Sequence, residues 1–139
     1  MSAFLWAMLT ACIWGVVPLM EKVGLGNHSP TAGVMVRSLG VAAGVLVFGW
    51  VWSPWSALCG MQWPSILLLA GGGLLASFVG QLAFYHALKA GAVSQVAPVA
   101  GTYPLVAAVL GWTVLREPLT LTRSLGVVCV VLGALLLRQ

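Results

Sequence analysis

Side chains that could perform chemistry are scarce in this sequence, and they are spread along its length. The 139 residues include two acids, Glu21 and Glu117, six Lys or Arg residues and two His residues. The two acids lie in opposite halves of the chain, and neither a glycine-rich phosphate loop nor a nucleophile elbow occurs. The three cysteines show no spacing typical of metal ligands. We therefore expect no enzyme activity, no metal site and no cofactor.

Gln81 and Tyr85 form the most suggestive polar pair. The stretch around them is almost entirely apolar, so the Gln81 amide must either bond to another helix or face a pore. Tyr85 follows four residues later, which places both side chains on one face of a helix. We predict that this face contacts a small solute.

Aromatic and proline residues supply a second group of candidates. Pro98 and Pro104 each remove a backbone donor, which leaves carbonyl groups without their helical partners. Those carbonyls and the phenol of Tyr103 either contact a solute or simply accompany packing kinks. Trp14 either stacks on a solute or faces lipid. We include all four residues in the predicted solute site.

Four titratable residues are candidates for charge pairing or ion coupling. Arg37 lies inside an apolar run, where a charge is expensive and requires a partner or a function. Glu21 is the partner expected for it, and an anion-binding arginine is the alternative. His86 changes its charge near neutral pH, which suits proton coupling, but it also fits a membrane interface. Glu117 is flanked by arginines and fits either a boundary cluster or a gate.

The overall composition indicates the class of protein in which these residues are positioned. Hydrophobic residues make up 61% of the chain and charged residues 6%, with a mean hydropathy of +1.08. A soluble domain carries roughly a quarter charged residues. The basic residues are scattered singly, which is unlike a nucleic-acid-binding surface. We therefore predict an integral membrane protein whose main surroundings are the lipid bilayer.

Runs of ~20 apolar residues, the length needed to span a bilayer, divide the sequence. Pro54 and Pro64 bracket a break in the long uncharged middle, and Thr120 or Thr122 is a suitable cap for the last run. The predicted fold is all-α, a single domain over 1–139 forming an integral membrane bundle of five transmembrane helices. The predicted helices are 2–20, 31–52, 65–88, 92–115 and 120–138.

The distribution of Lys and Arg gives only a weak preference for one orientation. With five spans, Lys22, Arg37, Lys89 and Arg138 fall on one side and Arg116 and Arg123 on the other. The side with more basic residues is normally cytoplasmic. Four against two permits insertion in both directions, and two oppositely inserted copies could build a site between inverted halves.

The order and spacing of several short motifs resemble the EamA domain of the drug/metabolite transporter superfamily. The matching positions are Trp14-Gly15, Glu21-Lys22, Pro30, Arg37, Tyr85-His86-Ala87-Leu88, Ser94, Pro98, Tyr103-Pro104, Gly111, Glu117-Pro118-Leu119-Thr120, Gly126 and Gly133. They extend over essentially the whole chain.

The resemblance implies an EamA-like half-transporter in the bacterial cytoplasmic (inner) membrane, with several spans. It implies a secondary transporter subunit that moves a small organic solute or metabolite by alternating access. It also implies a dimer, either an antiparallel homodimer or a heterodimer with a related chain. A lipid-linked sugar flippase subunit and an accessory structural subunit without transport are the alternatives. Small multidrug exporters of the superfamily carry an acid inside helix 1, whereas Ala11-Cys12-Ile13-Trp14 here has none.

Overall fold

The computed structural model describes residues 2–52, 55–118 and 120–137, and every regular element in these ranges is a helix. The predicted all-α membrane fold is confirmed. The helices are α1 (Ala3–Leu25), α2 (Pro30–Trp52), α3 (Trp55–Cys59), α4 (Trp63–Leu74), a π-helical segment (Leu75–Gly80), α5 (Gln81–Ala90), α6 (Val93–Ala100), α7 (Tyr103–Thr113) and α8 (Leu121–Leu136).

Four stretches of the described chain are long and apolar enough to cross a membrane. They are Ala3–Leu25, Pro30–Trp52, Trp63–Ala90 and Val93–Thr113. The fifth predicted span is present as α8, a shorter apolar helix of 16 residues. At 1.5 Å per residue α8 is about 24 Å long, somewhat less than the ~30 Å hydrocarbon core. Thr120 caps it by accepting a hydrogen bond from the Arg123 amide at 3.4 Å.

The prediction that the first helix ends at residue 20 is wrong. Helix α1 continues through Glu21 and Lys22 to Leu25. Gly26 caps its C-terminus, with a positive φ of 41° that glycine adopts without strain. These two charged residues directly follow the predicted span 2–20. Both are instead accommodated inside the helix, because distant segments of the chain supply polar partners for their side chains.

Prolines mark helix starts here more often than helix ends. The second and third predicted spans were expected to begin after Pro30 and Pro64. Both prolines instead lie in the first turn, where the missing amide is not needed by the helix. Ser29 precedes Pro30, and its hydroxyl accepts the Ala32 amide at 3.2 Å. Pro54, which we expected to mark the break between spans, lies outside the described residues, as does Arg138.

The fourth predicted helix, 92–115, is two helices rather than one. Helix α6 ends at Ala100, α7 begins at Tyr103, and Gly101 and Thr102 form a turn between them. Pro104 in the first turn of α7 cannot donate to the carbonyl four residues earlier, so the helical ladder is interrupted there. Helix α7 ends at Thr113, and Arg116 adopts a left-handed conformation with φ 53°.

The chain forms two compact units, which meet in sequence between Lys89 and Ala90. In the first unit α2 contacts both α1 and the π-helical segment. The largest fully buried side chains described in this unit are Val34 and Leu88, and Leu25 and Tyr85 are each 4% exposed. In the second unit α8 contacts α6 and α7. The large apolar side chains of the described helices are otherwise mostly exposed, as expected where lipid replaces water.

Candidate functional site

The polar centre of the first unit is the carboxylate of Glu21. Its Oε1 atom accepts hydrogen bonds from Gln81 Nε2 at 2.8 Å and from the Tyr85 hydroxyl at 3.1 Å. The same oxygen lies 3.2 Å from Arg37 Nε, which makes an ion pair. Three helices, α1, α2 and α5, therefore converge on one oxygen atom. The ion pair expected between Arg37 and Glu21 is present, and the predicted Gln81–Tyr85 face is directed toward it.

In this cluster, Arg37 has a hydrogen-bond donor that is not paired with any acceptor among the described residues. The Glu21 side chain is 10% exposed and that of Arg37 is 31% exposed. Arg37 Nη1 is nevertheless enclosed and has no hydrogen-bond partner among the described residues. Arginine binds carboxylates most strongly through two parallel hydrogen bonds. Glu21 engages the guanidinium through Nε, so the contact to Glu21 does not supply an acceptor for Nη1.

Close packing fixes how the three helices approach each other. Gly33 lies four residues before Arg37, on the same face of α2. A Cβ atom at Gly33 would be 2.8 Å from Leu25 Cδ1 and 2.8 Å from Tyr85 Cε2. A glycine at this position therefore lets α2 approach both the end of α1 and the Tyr85 ring. The approach holds the phenol within reach of Glu21.

A cavity of about 560 Å³ lies beside the cluster. Its lining combines the charged pair with the Tyr85 ring and mostly small or apolar groups. The lining residues are Met20, Glu21, Gly24, Leu25, His28, Ala32, Gly33, Val36, Arg37 and Tyr85. This volume falls in the range of small-molecule sites, which are largely apolar with a few convergent polar groups.

Two lysines hold the same end of the unit together. Lys22 Nζ donates to the Leu88 carbonyl, which ties α1 to α5. Lys89 Nζ donates to the His28 carbonyl at 2.6 Å, which ties α5 to the turn between α1 and α2. Cations near helix C-termini are stabilised by the helix dipole and satisfy carbonyls that lack helical donors. The cavity therefore lies toward one end of these helices.

Trp14 and His86 do not join this cluster. Trp14 is 59% exposed and lies at the centre of α1, because the helix extends further than expected. Pro18 inside α1 has no amide, so the Trp14 carbonyl has no donor four residues later. His86 is exposed, next to Tyr85 in sequence but outside the cavity lining. Their proposed roles stay predictions.

The remaining candidates belong to the second unit. Pro98 lies inside α6 and Pro104 in the first turn of α7, so Ser94 and Ala100 lack the usual helical donor for their carbonyls. The Tyr103 side chain is 59% exposed at the start of α7. The two prolines thus remove these donors, and contact between the carbonyls and a solute stays a prediction.

Glu117 lines a separate cavity of about 240 Å³ within the second unit. The left-handed Arg116 turns the chain so that the Glu117 amide donates to the Gly111 carbonyl at 3.0 Å. A Cβ atom on Gly111 would lie 3.5 Å from Glu117 Oε2, so the carboxylate rests against this glycine. The other lining residues are Leu105, Ala108, Val109, Trp112, Pro118, Arg123, Ser124, Val127 and Val128.

Sequence reasoning missed several residues that shape the first cavity. His28, Gly24 and Gly33 line it, and Lys22 and Lys89 tie together the ends of the helices around it. Gly33 could have been found, because it shares a helix face with Arg37. The lysine contacts carried no local signal, since their acceptors are backbone carbonyls more than sixty residues away in the chain.

Comparisons with known proteins agree with this architecture. The EamA-like transporter family matches residues 1–139. A curated protein from Sinorhizobium sp., named an uncharacterized transporter in cobO 3'region, is 33% identical over 135 residues. The match covers 95% of this chain and 93% of the Sinorhizobium protein. No solved structure matches the chain. The chain is therefore a multi-pass membrane protein that belongs to the EamA-like transporter family.

Proposed function

We propose that this chain is a subunit of a secondary transporter that moves a small organic solute across the bacterial cytoplasmic membrane. The observation that supports it best is the cavity of about 560 Å³ lined by Glu21, Arg37 and Tyr85. Charged and hydrogen-bonding groups inside membrane helices are costly and usually serve a transport pathway. Here they are gathered beside a space large enough for a metabolite, and Gln81 holds Glu21 in place.

We propose that transport occurs by alternating access in a dimer. The Glu21–Arg37 cluster is near one end of its helices, so a solute bound there is close to one membrane face. The helix break at Gly101 and Thr102 supplies a point at which the fourth span can bend. The weak charge asymmetry supports antiparallel pairing of two copies. In a chain whose three native cysteines are replaced by alanine, a cysteine added after the last residue should then react with an impermeant thiol reagent from both membrane faces. Reaction from one face only would contradict antiparallel pairing.

Uptake into liposomes tests the transport proposal. The purified chain is reconstituted, and uptake is measured for a panel of radiolabelled amino acids, carboxylates, amines and sugars. At least one solute should be taken up, and Gln81→Leu should reduce that uptake roughly tenfold or more, because it removes the amide donor that helps to hold Glu21 in place. The matched control is Gln62→Leu, at the exposed residue that precedes α4.

The two other functions predict different results in the same assay. A lipid-linked sugar flippase subunit would take up no soluble solute but would move a fluorescent polyprenyl-linked sugar between leaflets. An accessory subunit would do neither, with or without Gln81. Equal uptake by wild type and Gln81→Leu for every solute would contradict the proposed site.

A further inference from the structure

We propose that the cavity beside Glu21 and Arg37 binds the carboxylate of an organic anion and takes up a proton together with it. This inference rests on the proposed function and specifies its solute class. The ligand carboxylate lies on the unmatched edge of the Arg37 guanidinium. The proton lies on the Glu21 carboxylate.

The charge balance of the first unit favours an anion over a cation. Up to Lys89, the sequence has one acidic side chain, Glu21, against Lys22, Arg37 and Lys89. All four lie toward the same end of their helices, and Glu21 and Arg37 line the cavity. An anion that enters this region meets a net positive field. The same field would repel a cationic solute. Glu21, the acid that could pair with such a solute, is already paired with Arg37.

The hydrogen-bond inventory favours a carboxylate. Glu21 shows that the donors here suit a carboxylate oxygen, since guanidinium, amide and phenol groups all converge on Oε1. Arg37 Nη1 is enclosed without an acceptor among the described residues. An enclosed donor without a partner is costly, and for charged groups the cost is larger. A second carboxylate beside the guanidinium supplies the missing acceptor.

The proton is expected because two carboxylates would lie close together at one guanidinium. Arg37 with Glu21 is a neutral pair, and a bound anion would add a second carboxylate to one guanidinium. Two carboxylates that share a site do not both stay ionised, so one takes a proton from water. The solute keeps the guanidinium, and Glu21 becomes a neutral acid that still accepts from Gln81 and Tyr85. The other charged or titratable groups at this end are Lys22, His28, His86 and Lys89, of which both lysines donate to backbone carbonyls.

Three probes of one shape test the charge preference. Benzoate, benzamide and benzylammonium are titrated calorimetrically into the purified chain. Benzoate should bind roughly tenfold or more tighter than benzamide, as expected for a charge-assisted hydrogen bond, and benzylammonium should not bind. Arg37→Gln should abolish the preference, and the control Arg123→Gln should keep it. If Arg37→Gln does not fold, Glu21→Gln/Arg37→Gln removes both charges and should show the same loss.

Proton uptake is measured by repeating the benzoate titration in buffers of different ionisation enthalpy. Wild type should take up a proton with benzoate, and Glu21→Gln should bind benzoate at least as tightly without that uptake. Benzamide binding as tightly as benzoate would overturn the proposal. So would the absence of benzoate binding to both wild type and Glu21→Gln, or unchanged proton uptake in Glu21→Gln.

The outcome is separable from that of the transport assay. Uptake of a neutral or cationic solute that depends on Gln81, without benzoate binding, would refute the anion site and leave the transporter proposal intact. Benzoate binding with proton uptake, but no transport of any solute, would refute the transporter proposal and support the anion site.

Discussion

At the scale of single residues, Glu21 has the largest difference between expectation and structure. Its position next to Lys22 indicated a helix end, yet its Oε1 atom is shared by Gln81, Tyr85 and Arg37. A side chain that bridges three helices contributes to stability as well as to binding. The Tyr85 hydroxyl can be removed with the smallest change in shape.

Tyr85→Phe should lower the free energy of unfolding by about 1.5–3 kcal/mol, the usual contribution of a hydrogen bond to a charged group. The ring is 4% exposed, so Phe preserves its packing while Glu21 loses a donor. The measurement is thermal unfolding of the purified protein in detergent. The comparison is Thr113→Val, which removes a hydroxyl that donates to the Val109 carbonyl of its own helix. Equal melting temperatures for the two variants would show that the Tyr85–Glu21 contact adds no stability.

At the scale of helices, the sequence predicted most of what lies within one apolar run. Long uncharged stretches gave the spans, and the spacing of Gln81 and Tyr85 gave their common face. The end of α1 was mispredicted because the partners that stabilise Glu21 and Lys22 come from α2 and α5. Local patterns do not contain such contacts. The π-helical segment directly before Gln81 had no signal in the sequence, although such segments often lie at functional sites.

The contact between α2 and its neighbours depends on Gly33. Gly33→Ala should destabilise the first unit by about 1–3 kcal/mol, the range for overpacking. The new methyl group would press on Leu25 and Tyr85, and the Tyr85 ring is restrained by its bond to Glu21. Thermal unfolding measures the effect. The control is Gly73→Ala, which meets open space and should be neutral or slightly stabilising because alanine favours helix. A Gly33→Ala protein as stable as Gly73→Ala would contradict the close approach.

At the scale of the whole molecule, the described helices bury few large side chains and expose apolar ones along their length. Such a surface is stable only where lipid or another protein copy covers it. Family membership and the membrane location could both be inferred from the sequence, because they depend on the order of motifs and on hydropathy. The orientation in the membrane could not, because the charge bias is small.

If the cavity beside Arg37 is a water-filled solute site within membrane helices, a thiol on its lining should react with hydrophilic reagents, and cysteine accessibility measures this directly. In a chain in which Cys12, Cys59 and Cys129 are replaced by alanine, Val36→Cys places a thiol on the cavity lining. Ser38→Cys lies on the same helix, only ~3 Å deeper and about 200° around it. In liposomes, a hydrophilic maleimide should label Val36→Cys but not Ser38→Cys, and benzoate should slow that labelling. Equal labelling of both positions, or none at Val36→Cys, would contradict the account.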